Sequence, residues 1–144
     1  MTKFLFNTAI ITGYFYLSGN NGEDLIISIL LYLLYMLSVG SFAYLINDIS
    51  DRKFDEISGK KRIAASLSNN KRFALITTLL ILSFVPGLFV SFPLIYILLI
   101  ASQVIFILLY SLPVTRLKKN TGGLLCDSMY SFVLPGLIAL LLSF

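Results

Sequence analysis

Three apolar runs decide what this chain can fold into: residues 25–46, 73–92 and 94–112 contain no Asp, Glu, Lys or Arg. Each is long enough to cross a hydrocarbon layer as a helix, which takes about 20 predominantly apolar residues. A fourth run, residues 124–144, matches them except for Asp127 near one end, where an ionisable group costs much less than at the bilayer centre. The N-terminal run, residues 4–17, is shorter and interrupted by Asn7, Thr8, Thr12 and Gly13, so it spans only by borrowing its flanks. Reading it as a signal peptide behind Lys3 is the weaker alternative, because Tyr16-Leu17-Ser18 lacks the small residues of a cleavage site. Composition agrees with lipid as the solvent: 58% of the 144 residues are hydrophobic and 12% charged, about half the charged share of a soluble domain. The expectation is one all-α membrane domain over residues 1–144, a bundle of about five transmembrane helices.

Composition also limits the chemistry. The chain has no histidine and a single cysteine, Cys126, which excludes imidazole general bases, Ser/His/Asp triads, His metal sites, CxxC sites and an internal disulfide. Carboxylates, Lys, Arg, Tyr and Asn are what remain for a reaction. No nucleic-acid partner is expected.

The charges orient the spans. All 11 basic residues fall on one side: Lys3 before the first run, Arg52, Lys53, Lys60, Lys61, Arg62, Lys71 and Arg72 between the second and third, and Arg116, Lys118 and Lys119 between the fourth and fifth. The connections at residues 18–24 and 91–93 carry none. By the positive-inside rule the N-terminus is cytoplasmic and the C-terminus outside; the expected setting is a membrane of the bacterial inner type. For individual lysines the simplest role is to set this orientation and touch anionic lipid. Gly13, Gly40, Pro86-Gly87 and Pro135-Gly136 lie inside the runs. They predict kinks whose freed carbonyls are satisfied by neighbouring helices, and small surfaces that let backbones approach.

The second run continues without Gly or Pro into Asn47-Asp48-Ile49-Ser50-Asp51-Arg52-Lys53-Phe54-Asp55, followed by Glu56. At about 100° per residue, Asp51 and Asp55 stand about 60° and 20° from Asp48, so one helix face carries three carboxylates. Stacked like charges destabilise a helix. One resolution is a hard cation: an all-oxygen site suits Ca²⁺ or Mg²⁺, and Mg²⁺ in particular is held by one or two carboxylates plus substrate phosphates. Arg52, Lys53, Lys60, Lys61 and Arg62 stand close enough in sequence to hold remaining phosphate oxygens. The other resolution is a charge-mixed helix end in which Asp51, Asp55 and Glu56 pair with Arg52, Lys53 and the lysines that follow.

Asn47-Asp48-x-x-Asp51-x-x-x-Asp55 at the end of a transmembrane run resembles the first aspartate-rich motif, NDxxDxxxD, of the UbiA-type intramembrane prenyltransferases. Lys61-Arg62-Ile63-Ala64-Ala65-Ser66 is similar to the family's KxxRPxAS stretch, with Ile63 where a proline is common. Tyr110-Ser111-Leu112-Pro113-Val114-Thr115-Arg116-Leu117-Lys118 resembles its YSxPPxRxK segment, with Val114 in place of the second proline. Cys126-Asp127-Ser128-Met129-Tyr130 resembles the start of the fifth helix in some bacterial members.

The resemblance implies a function. Members transfer a prenyl chain from a polyprenyl diphosphate to an acceptor, commonly an aromatic ring, and use Mg²⁺ to neutralise the departing diphosphate. Carried over residue by residue, Asp48, Asp51 and Asp55 would be the catalytic, metal-holding carboxylates, and Asn47 would orient ligand or metal water. Arg62, Arg116 and Lys118 would contact diphosphate, and Tyr110 would face the substrate cavity. Asp127 is a further functional candidate as an ionisable group inside a span, or else the partner of Arg116 or Lys119. The family fold has nine helices and a second acidic motif after its sixth, and nothing in this chain after Asp55 offers paired acids. The resemblance therefore covers the first half of a family member. It implies a half-length prenyltransferase completed by a second chain or a homodimer, the alternative being a noncatalytic small membrane protein or inactive remnant. A CDP-alcohol phosphotransferase is set aside, because neither the Gly nor the Ala-Arg of its DGxxAR pattern is present at Asp51.

Overall fold

The longest element sets the frame. The computed structural model describes residues 2–19, 22–57, 67–112, 117 and 121–143, with backbone alone for residues 2–7 and 53–57. Within it α2 runs Glu23–Ile57 as one helix of 35 residues. At 1.5 Å per residue that is about 53 Å, well over the roughly 30 Å hydrocarbon core. A span ending near Ile46 therefore leaves the Asp48 end of the helix projecting beyond the apolar layer, as its uninterrupted sequence requires.

The other elements are α1 (Thr2–Leu17), α3 (Asn69–Phe84), a 3₁₀ turn (Val85–Phe89), α4 (Pro93–Ser111), α5 (Thr121–Ser128), a π-turn (Met129–Val133) and α6 (Leu134–Leu141). All regular structure among the described residues is helical. Four helical stretches are long and apolar enough to cross a membrane: Glu23–Arg52, Asn69–Phe89, Pro93–Ser111 and Thr121–Leu141. These overlap the four long runs read from sequence, while α1, at 16 residues, is shorter than a span needs. Glycines end the first hairpin: Gly19 and Gly22 take φ of 92° and 61°, a region that costs a residue with Cβ roughly 1–2 kcal/mol. Ser68 starts α3, its side chain accepting from the Lys71 N–H, and Pro93 occupies the first turn of α4, where its missing N–H costs nothing.

Helical periodicity selects the core. α2 buries Tyr32, Tyr35, Val39, Phe42 and Leu45; α4 buries Tyr96, Ile100, Gln103, Ile107 and Ser111; the last span buries Leu134, Pro135, Ile138, Ala139 and Leu142. Steps of three and four residues along each helix produce one stripe apiece. α1 contributes the fully buried Phe15, whose ring meets Tyr32 edge-on at 6.1 Å. Among the described residues the Tyr32 hydroxyl has no hydrogen-bond partner, so the core uses the ring rather than the oxygen. α3 packs most extensively against α2, closing a hairpin beside the acidic helix end.

The two prolines inside spans each orphan a carbonyl, and α4 supplies both replacement donors. Pro86 has no N–H to give, and the chain tightens into the 3₁₀ turn, with the Val85 N–H reaching Leu82 O. The 3₁₀ donor for Ser83 O would be Pro86 itself; instead the Tyr96 hydroxyl donates to it at 2.8 Å. In the last span the Leu134 N–H bonds Met129 O, five residues back, and Pro135 has no hydrogen for Tyr130 O. Gln103 Nε2 donates to that carbonyl at 2.8 Å. Kinks resatisfied by neighbouring helices are thus what the structure shows. Of the four glycines named inside the runs, Gly87 is the one in tight contact: a Cβ there would lie 2.6 Å from Tyr96 Cδ1. At Gly13, Gly40 and Gly136 a Cβ would meet nothing within 4 Å, so these three do not serve as packing notches.

Candidate functional site

Because α2 stays helical through Ile57, Asp48, Asp51 and Asp55 occupy one side of it by the 100° step. Asn47, Asp48 and Asp51 are half-buried and Arg52 is exposed. All four make polar or electrostatic contacts, and the Asp55 side chain lies outside the described residues. The carboxylate face does not point into the packed core. From Asp48, Val39 stands about 180° around the helix and Phe42 about 120°. Leu30, Leu37, Ser41 and Tyr44 fall within about 40° of Asp48. They are exposed, Leu30 at 59%, Leu37 at 56% and Tyr44 at 71%. The acidic face therefore continues the outer face of the helix, on a side that the described helices leave open.

Of the residues expected to join it, Arg62, Arg116 and Lys118 lie outside the described residues, as does Lys119. Among the described residues no three His, Cys, Asp or Glu side chains converge on a point that would hold a metal ion. Tyr110, expected to face a cavity, is half-buried with its ring edge-to-face against Tyr130, centroids 5.5 Å apart at 62°. Asp127 is half-buried, and its Oδ1 accepts from Ser131 Oγ at 3.3 Å; the Tyr130 side chain interacts with both. A small polar cluster of Asp127, Tyr130 and Ser131 thus sits at the π-turn, with the Tyr110 ring against it.

Sequence reasoning passed over the residues that anchor this cluster. Tyr35 donates its hydroxyl to Gln103 Oε1 at 2.7 Å, and Gln103 passes its Nε2 hydrogen to Tyr130 O. The amide is 2% exposed, so the chain Tyr35–Gln103–Tyr130 ties α2, α4 and the last span together inside the apolar layer. A signal was available. Gln103 is the one carboxamide within residues 94–112, and an amide in a span needs both ends satisfied.

No family model matches the chain, and no curated protein or solved structure matches it. What fold and site define is a class: an all-helical protein with four helices long and apolar enough to cross a membrane and an acidic extension on the longest of them.

Proposed function

We propose that the Asp48 end of α2 lies on the cytoplasmic side of the membrane and is the diphosphate-binding part of a UbiA-like prenyltransferase, in a chain that supplies half of the site. One observation carries this reading. The helix continues unbroken past the span, so the NDxxDxxxD-type residues Asn47, Asp48, Asp51 and Asp55 stand on one side of a rigid rod at the membrane boundary. Its open side is where a second set of helices would close a cavity.

The donor set fits Mg²⁺. Half-buried carboxylates one turn apart are hard oxygen ligands, and this ion takes few of them while keeping phosphate and water. Asp48, Asp51 and Asp55 would hold it, and when bound it supplies neutralisation of the charge that develops on a departing diphosphate. The chain's own contribution is placement. The carboxylates fix the headgroup at the end of the span, Asn47 offers an amide for orientation, and Arg62, Arg116 and Lys118 are the cations for the remaining oxygens. The substrate is a polyprenyl diphosphate and the acceptor an aromatic ring, with a second chain or a second copy of this one completing the cavity.

A second reading, a noncatalytic membrane protein whose acidic helix end only makes ion pairs, is favoured by the outward direction of the carboxylate face and by the contacts that Asp48, Asp51 and Arg52 already make. An uncleavable polyprenyl thiodiphosphate separates the two. The chain in detergent is expected to bind it saturably with Mg²⁺ and to release it on addition of EDTA. Equal, weak partitioning with and without Mg²⁺ would leave the ion-pair reading standing and remove the prenyltransferase one.

A further inference from the structure

The last span contains an element with two possible registers. In its π-turn the Leu134 N–H bonds Met129 O, whereas an ordinary α-helix would send that hydrogen to Tyr130 O, four residues back. Tyr130 O is therefore one acceptor with two candidate donors, the backbone N–H of Leu134 and the side chain of Gln103, and the structure has the second at 2.8 Å. Pro135 offers no third. A side chain inserted into the ladder is an established cause of such a break, and π-turns of this kind concentrate at functional sites.

The two registers differ in which residues face the core. A π-turn holds one residue more than the α-helix it interrupts. If it relaxed, one flanking segment would turn by about 100° and move about 1.5 Å. The segment after it is well anchored, with Leu134, Pro135, Ile138, Ala139 and Leu142 all buried. Thr121–Ser128 buries only two residues among those described, Gly123 and Cys126, so we take this as the part that would turn. Each of its residues would then take the place of the one before it. Cys126, now 3% exposed, would occupy the position of Leu125, which is 62% exposed. Asp127 would occupy the buried position of Cys126, away from Ser131 and Tyr130.

We propose that Gln103 is the register lock of the last span. Its hydrogen bond to Tyr130 O, with the amide oriented by the Tyr35 hydroxyl, holds the π-turn and thereby keeps Asp127 out of the core and beside Tyr130 and Ser131. Tyr35, Gln103 and Tyr130 act as positioning residues, and the state they hold does not depend on what the acidic end of α2 binds.

The sole cysteine of the chain reports the register directly. With N-ethylmaleimide in mild detergent, read by mass, Cys126 is expected to label slowly in the native protein and about tenfold faster in Gln103→Leu, where the carbonyl returns to Leu134. Deleting Phe132 in the Gln103→Leu background removes the extra residue and should restore slow labelling, because both flanking faces then stay in place without a π-turn. Persistent protection in Gln103→Leu would overturn the proposal, and so would fast labelling that the deletion fails to reverse, since that signals general loosening. If Gln103→Leu does not fold, Tyr35→Phe is the milder variant. It leaves the amide in place but unoriented and is expected to raise labelling severalfold; no change there would equally overturn the lock.

Discussion

Asp48→Asn and Asp51→Asn are each expected to lower the Mg²⁺-dependent affinity for a polyprenyl thiodiphosphate by about 10- to 100-fold, or about 1.4–2.8 kcal/mol. Stability should hardly respond. The two residues sit half-buried at a helix end, where single ion pairs contribute about 0–1 kcal/mol, and thinning a stack of like charges returns a few tenths. Asparagine keeps the size and a hydrogen-bonding oxygen while deleting the charge, so affinity is the quantity that separates a cation-binding face from a charge-mixed helix end. Titration calorimetry with and without Mg²⁺, beside a denaturation curve for each variant, makes the comparison. Unchanged affinity together with a measurable loss of stability would assign these carboxylates to ion pairing with Arg52 and its neighbours. In membranes that also contain the completing helices, the same variants are expected to lose prenyl transfer.

Gly87→Val has the largest expected effect on the fold. Its Cβ would stand 2.6 Å from Cδ1 and 3.0 Å from Cε1 of Tyr96. That ring is fully buried, with its hydroxyl committed to Ser83 O, so it has no free end to swing aside. Overpacking of this kind costs about 1–3 kcal/mol. A Tyr96 forced outward also leaves the Ser83 carbonyl without its donor, a further penalty of about 1–3 kcal/mol. The combined loss of about 2–6 kcal/mol should be plain in an SDS or thermal unfolding curve. Gly136→Ala is the matched control. A Cβ there meets nothing within 4 Å, and alanine is the better helix former. A Gly87→Val protein as stable as this control would show that the Gly87–Tyr96 contact does not hold the kink.

Spans and acidic face were legible in the sequence because both depend on local order. A charge-free run must satisfy its backbone within itself and so becomes a helix, and the 100° step then places Asp48, Asp51 and Asp55 together whatever surrounds them. The direction of that face relative to the core was not legible. A helical wheel relates residues to one another, and only the stripe Tyr32, Tyr35, Val39, Phe42 and Leu45 shows which side α2 turns inward. Glycines were ambiguous for the same reason: Gly40 and Gly87 look alike in a run, yet one faces open space and the other an aromatic ring. The π-turn is a tertiary effect. It depends on an amide 27 residues from Tyr130, itself held by a tyrosine 68 residues further back, and no local propensity encodes that pairing. Pro135 marks where a carbonyl would be freed, and Gln103 marks where a donor waits, but the join between them is made by packing.

The central proposal is that the acidic face of α2 is a divalent-cation site that works with a diphosphate. Mn²⁺ in place of Mg²⁺ makes this visible, because bound Mn²⁺ loses its free-ion paramagnetic resonance signal. In the presence of an uncleavable polyprenyl thiodiphosphate, the native chain should take up Mn²⁺ saturably. The triple variant Asp48→Asn, Asp51→Asn, Asp55→Asn should not, while Glu23→Gln with Asp24→Asn, at the opposite end of the same helix, should bind like the native protein. Equal Mn²⁺ uptake by the native chain and the triple variant would contradict the account.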